Sequence, residues 1–205
     1  MTAAFQALSR VWRQSRLPRS VKIKLYRSTV EPHFTYCGGA LALWKSEMEK
    51  LDLLHRKQLW YVLGVYYPAH VSNTEVYKQS GSVPVSVKCV AARVSLMGHV
   101  LLGATGSERK AYRATTAFFQ RRVAQEDPRA RSRQGRVLMT IPRVLHLDMQ
   151  LVGRAKRATV FGAEGLETGT DLAKVKLVAA NREKWKRSVE NLREEAVRRR
   201  YEGIR

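Results

Sequence analysis

No acidic residue precedes Glu31, although Arg10, Arg13, Arg16, Arg19, Lys22, Lys24 and Arg27 fall within that stretch. Over the whole chain 17 Asp and Glu face 38 Lys and Arg, a formal net charge of +21. A surface this one-sided repels itself unless a polyanion neutralises it. The excess exceeds what solubility alone requires. Nucleic acid is therefore the first expected partner, with an anionic membrane surface as the rival.

Cysteine is also scarce. Cys37 and Cys89 stand far apart, which excludes a disulfide framework or a Cys-rich zinc motif and fits a reducing compartment. Apolar runs are broken by charge or glycine before they reach the roughly 20 residues of a membrane span, so no transmembrane segment is expected. Patterns that carry chemistry are missing too. His33, His55, His70, His99 and His146 are isolated, no two Asp adjoin, and the glycines at 103 and 106 lack the Lys-Ser/Thr of a phosphate loop. The sequence thus predicts no catalytic residue, no metal, no cofactor and no small-molecule substrate. His55, beside Arg56 and Lys57, reads as a phosphate contact or exposed helix residue. His99, after Gly98, reads as a core or interface histidine.

Hydrophobic residues make up 44% of the chain, many of them at helical spacing. That suffices for one core or two small ones. Residues 2–15 read as a helix ended by Pro18, which then opens a second helix over 18–30. Pro32 and Gly38-Gly39 break the pattern. Met48, Leu51, Leu54, Leu59 and Val62 share a face of a helix over 46–63, with Gly64 as its cap. Ser72 and Glu75 have capping-box spacing before a helix at 73–79. Val87, Val90, Ala91, Val94, Met97 and Leu101 define a buried face over 85–102, expected to pack on Leu51, Leu54, Leu59 and Val62. Ser107 can cap a connecting helix at 108–124, with Tyr112, Thr115, Phe119 and Val123 inward.

From 128 to 157 the sequence carries Arg129, Arg131, Arg133, Arg136, Arg143, Arg154, Lys156 and Arg157 against the single acid Asp148. Gly135 and Pro142 interrupt it, so an extended or loop-rich basic arm is predicted, with a short apolar piece at 137–152. A Gly-rich turn at 161–170 follows. Asp171 then caps one long helix over 172–200, on which Arg182, Lys186, Arg193 and Arg200 fall within about 40° of one another. Its apolar positions include Leu172, Val175, Trp185, Val189, Leu192 and Ala196. The aromatics Trp12, Trp44, Trp60, Tyr61, Tyr66, Tyr67 and Trp185 fit a core better than base stacking; Tyr66-Tyr67-Pro68 is the best stacking candidate.

Several of these segments resemble, in order and spacing, the region after the palm in non-LTR (LINE-type) retrotransposon reverse transcriptases. Residues 5–12, from Phe5 to Trp12, look like the family's first thumb helix. Lys22 through Val30 resembles "K-x-x-L-Y-x-S-x-V". Tyr36-Cys37-Gly38 with Leu43-Trp44 resembles "Y-G-x-E-T-W", and Leu51 to Leu59 resembles "L-x-x-F-H-x-x-x-L-R". Leu63-Gly64-Val65 is similar to "L-G-I", and Val71 to Tyr77 is similar to "V-S-N-x-E-L-Y". Arg93 with Leu96-Met97-Gly98-His99-Val100-Leu101 resembles "R-x-R-W-L-G-H-V-L-R". Ala180 to Lys186 resembles "A-x-D-R-x-x-W-R". Residues 104–170 carry no such likeness. The family polymerises with palm carboxylates on a Tyr-x-Asp-Asp-type turn that holds two metal ions; nothing in this sequence matches that turn. The resemblance therefore implies a helical thumb that grips RNA, without the polymerase centre.

The combined expectation is a mostly α protein: a thumb-like helical bundle at 1–103, a connecting helix at 104–127, a basic arm and loop at 128–170, and a long basic C-terminal helix at 171–205. Its expected function is non-catalytic RNA binding inside a ribonucleoprotein such as a mitochondrial ribosome. The partners would be structured RNA, ribosomal RNA among them, and neighbouring proteins. The expected RNA contacts are Arg10, Arg13, Arg16, Arg19, Lys22, Arg56, Lys57, the basic arm, and the stripe on the last helix. One alternative is a truncated reverse-transcriptase fragment served by a separate palm chain; another is a membrane or protein-interaction module. The acid-free, Ser-bearing N-terminus has the composition of a mitochondrial targeting segment and also of a basic amphipathic helix in the fold. Nucleus and cytosol are the alternative compartments.

Overall fold

The computed structural model describes residues 3–36, 38–66, 71–103, 141–166 and 168–202. Helices account for its regular structure: α1 (Ala3–Ala7), α2 (Ser9–Arg13), α3 (Arg19–Thr29), α4 (Pro32–Thr35), α5 (Lys45–Leu63), α6 (Asn73–Ser80) and α7 (Val85–Gly103), then α8 (Ile141–Met149), α9 (Arg154–Phe161), α10 (Gly169–Ala180) and α11 (Arg182–Glu202). No strand occurs among the described residues, and the mostly α class holds. The connecting helix expected at 108–124, with Tyr112, Thr115, Phe119 and Val123, lies outside the described residues. So do Arg129, Arg131, Arg133 and Arg136, and Cys37, Tyr67, Pro68 and His70.

Local chemistry explains the element ends. Gly64 closes α5 at φ 67°, a left-handed conformation that a side chain would strain. Ser72 accepts from the Glu75 backbone N–H at 3.1 Å to start α6. Thr168 and Asp171 cap α10 reciprocally: Thr168 Oγ1 accepts from Asp171 N at 3.2 Å, and Asp171 Oδ2 accepts from Thr168 N at 3.1 Å. Asp171 is thus the third residue of the helix rather than its cap. Pro32, expected to break a helix, opens α4, where its missing N–H costs nothing.

Three expectations are corrected. The helix expected at 2–15 is divided at Leu8, and Trp12 Nε1 donates to the Phe5 carbonyl at 2.9 Å across the division. The single helix expected at 172–200 is α10 and α11, because Asn181 leaves the helical conformation and its Oδ1 accepts from Lys184 N at 2.9 Å, starting a new helix. Within the stretch read as a loop-rich arm, 141–149 and 154–161 are helical. Pro142 sits in the first turn of α8, where proline is tolerated. Val144, Leu145, Met149 and Val152 are buried in the core, which stabilises the helix despite the surrounding charge.

Two apolar clusters form. The first gathers Phe5, Trp12, Tyr26, Val30, Phe34, Leu59, Val62, Val76 and Tyr77 with Val85 and Cys89 of α7. The second gathers Val90, Val94, Met97 and Leu101, further along α7, with Leu145, Met149, Phe161, Leu172, Val175, Trp185 and Leu192. The 87–101 face is buried as expected, but its partner is the C-terminal half. Only the start of α7, at Val85 and Cys89, meets Leu59 and Val62. By length and composition Val85–Leu102 could cross a membrane; half of it is buried inside the fold, as the shared central helix of both clusters.

Polar contacts fix that helix. Asp52 of α5, fully buried, accepts from the Ser86 N–H at 2.9 Å and hydroxyl at 2.6 Å, supplying α7 with an N-terminal acceptor from another helix. Arg93 grips Asp148 of α8 with both Nε and Nη2, at 2.7 and 2.9 Å. Burial pushes the Asp148 carboxyl up, and the guanidinium opposes that shift. On the opposite flank, a Cβ at Gly98 would lie 2.1 Å from Trp185 Nε1, so α7 and α11 approach through a glycine.

Candidate nucleic-acid interface

The candidate site is a set of cations, most of them exposed, on the starts of helices. A helix N-terminus carries a partial positive charge and normally attracts acids. Here α3 starts with Arg19 and Lys22 and has no acid in its first turn. Helix α9 starts with Arg154, Lys156 and Arg157, again without an acid. Helix α11 carries Arg182, Lys184, Lys186 and Arg187 in its first two turns, against Glu183 alone.

The structure disposes the expected contacts unequally. Arg10, Arg13, Arg16 and Arg19 are exposed along α2, the following turn and the start of α3, and none has a carboxylate at ion-pair distance among the described residues. Lys22 is half-buried, and its Nζ donates to the Trp12 carbonyl at 2.8 Å, satisfying the end of α2. On α5, Lys57 is exposed and Arg56 half-buried. In α8, Arg143 is half-buried. Arg154 pairs with Glu164 at 3.1 Å, and Arg157 donates to the Glu164 carbonyl at 2.8 Å, while Lys156 remains exposed. On α11, Arg182 and Lys186 are exposed, Arg193 pairs with Glu190 at 3.3 Å, and Arg200 lies in the last turns.

Cations outside the expected stripe share the surface. Lys24 and Arg27 of α3 and Lys184 and Arg187 of α11 are exposed. A single angular stripe missed them, because the first turns of α11 present cations around most of the helix. The turn before α7 lies beside the end of α3 and the later half of α11. A Cβ at Gly81 would lie 3.6 Å from Arg27 Nη1, and Val83 lines a depression with Glu190, Arg193, Glu194 and Arg198, in which the charges balance.

The aromatics and histidines divide between core and surface. Trp12 and Trp185 are buried, the latter edge-on to Phe161 at 6.0 Å between ring centres. Trp60 and Tyr61 are half-buried, whereas Trp44 and Tyr66 are exposed. His55, read as exposed, is fully buried between Tyr26, Phe34 and Tyr77, with Nε2 3.2 Å from Glu31 Oε1. Glu31 is its hidden reason: the first acid of the chain is an interior partner for His55 and Lys88. His99 is exposed rather than in the core. His146 is half-buried, its Nδ1 accepting from Leu166 N at 3.1 Å. No group of His, Cys, Asp or Glu among the described residues could hold a metal ion. Burial pushes the Cys89 thiol up, away from thiolate chemistry.

Fold and surface define a class: a mostly helical, strongly basic protein with exposed cations on several helices, the starts of α3, α9 and α11 among them. The chain matches no protein-family model, no curated protein and no solved structure.

Proposed function

We propose that this chain is a non-catalytic RNA-binding protein that holds structured RNA inside a ribonucleoprotein, ribosomal RNA in a mitochondrial ribosome being the leading case. The observation that carries the reading is the cluster of exposed cations, without a carboxylate at ion-pair distance among the described residues, at Arg19 of α3 and at Arg182, Lys184, Lys186 and Arg187 of α11, of which Arg19, Arg182 and Lys184 lie in first turns and oppose the helix dipole. That placement destabilises the free protein, and a phosphate there reverses its sign. Phosphates of folded RNA supply such anions at many points, with counterion release adding to affinity. The resemblance to retrotransposon reverse-transcriptase thumbs supports the same reading, with the chain as a thumb-like grip on RNA. The basic residues Arg129, Arg131, Arg133 and Arg136 would extend it, and the acid-free N-terminus fits a mitochondrial address.

The test is fluorescence anisotropy of the full chain with a ribosomal RNA fragment and an unrelated hairpin of equal length, alongside a primer-extension assay with Mg²⁺ and nucleotides. The expected result is binding of both RNAs at low salt and no extension. Binding to anionic vesicles without binding to RNA would transfer the function to a membrane surface. Reproducible extension would make the chain an enzyme.

A further inference from the structure

A groove of about 540 Å³ opens where α5, α7, α8 and α11 meet. Its volume is within the range of small-molecule sites, roughly 300–1,000 Å³. Its walls are supplied by Leu43, Met48, Val87, Val90, Val144 and Leu151, with Trp44 as the one aromatic. Aliphatic walls suit a flexible hydrocarbon chain better than a planar ring, which would seek stacking partners. Val87 is informative here: it is buried, yet it belongs to neither apolar cluster and faces the groove instead.

The polar lining is sparse and mainly cationic. Lys45, Arg93 and Arg199 line the groove against the single carboxylate of Asp148. Arg93 is 3% exposed, and its fork is turned to Asp148 through Nε and Nη2. Its remaining nitrogen, Nη1, is buried without an acceptor among the described residues. That nitrogen has no surface open to the groove, so the guanidinium belongs to the Arg93–Asp148 pair and the cations left to meet a ligand are Lys45 and Arg199. Lys45 and Arg199 are exposed and stand where the groove meets solvent, Arg199 with its Nε 3.6 Å from Glu195 and the rest of its guanidinium open.

We propose that this groove is a binding site for a single-chain amphiphile with an aliphatic tail and a carboxylate head. The tail lies along the Leu and Val walls, removing apolar surface from water on both sides. The head is held at the mouth of the groove by the field of Lys45 and Arg199. The site is independent of the proposed RNA contacts at the starts of α3 and α11.

Calorimetric titration of the full chain with laurate, below its micelle concentration, tests the assignment. A basic protein attracts anionic surfactants everywhere, so the groove variants decide. One saturable site is expected. Exchanging Lys45→Glu and Arg199→Glu together, or Leu147→Glu on the exposed rim, should weaken it by about tenfold or more, a change of about 1.4 kcal/mol. Circular dichroism would verify that these surface variants fold. Lys184→Gln with Arg187→Gln should leave laurate binding unchanged. Absence of saturable binding up to millimolar laurate would overturn the proposal. Equal binding of dodecyltrimethylammonium would overturn it too, as would indifference to both groove variants. Binding confined to phosphatidylglycerol vesicles would point to a bilayer surface and equally reject it.

Discussion

Glu31 shows how much one side chain can depend on partners far from it in sequence. It is 6% exposed and is contacted by His55 of α5, Lys88 of α7 and the Ser82 hydroxyl, the last at 3.1 Å. Burial alone would raise its carboxyl. The hydrogen bonds and charges of His55 and Lys88 outweigh that and hold it at about 2, against an ordinary 4.5. A carboxyl depressed on folding stabilises the native state above its unfolded pKa, and that contribution is lost as pH falls. Stability should therefore decline from about pH 4.5 towards pH 2. Urea denaturation across that window should show Glu31→Gln less stable at pH 7 by about 2–4 kcal/mol, with a flatter acid decline. An unchanged decline in the variant would remove Glu31 from the explanation. The sequence showed Glu31 only as the first acid of the chain; its role depends on contacts made by folding. His55 was misread for the same reason, since neighbouring Arg56 and Lys57 suggest exposure while the helix turns His55 inward.

At the scale of elements, the helices were largely legible and their partners were not. The spacing of Val90, Val94, Met97 and Leu101 announces a buried face, but a face has no address. Leu51 and Leu59 match it in periodicity as well as Leu172 and Leu192 do. The two shorter helices at 141–149 and 154–161 were hidden by counting cations, although Val144, Leu145 and Met149 have helical spacing. Asn181 could have been read as a cap inside an otherwise continuous pattern. A close contact between the halves is Gly98 against Trp185. Substitution Gly98→Ala puts a methyl 2.1 Å from the indole nitrogen of a buried ring. The ring is packed against Phe161 and has little room to retreat, so overpacking should cost about 1–3 kcal/mol despite alanine's better helix propensity. Thermal unfolding measures this; a Gly98→Ala protein as stable as the parent would mean that α11 can slide off α7 freely. The sequence signalled this pair only as a glycine within an apolar helix and a tryptophan on a distant one.

For the whole molecule, the charge is the property the sequence made plain and the fold made specific. Arg182, Lys184, Lys186 and Arg187 are exposed on the first turns of α11 and have no carboxylate at ion-pair distance among the described residues. Their mutual repulsion and the helix dipole act in the same unfavourable direction when no anion is present. Replacing the four with Gln should thus move stability and binding in opposite directions. Free-protein stability should rise, by about 0.3–1 kcal/mol for each charge nearest the helix start. RNA affinity should fall for unrelated sequences alike, since phosphate contacts carry no base information. The log–log dependence of affinity on salt should also flatten by about three units, at roughly 0.7–0.9 per lost contact. Urea denaturation without RNA and anisotropy across a salt series would measure the two arms on the same preparation. A variant that gains stability but keeps the parental salt slope would place the RNA on other cations. A variant that loses stability and affinity together would show that these side chains support the fold, and the helix-start account of the charge would fail.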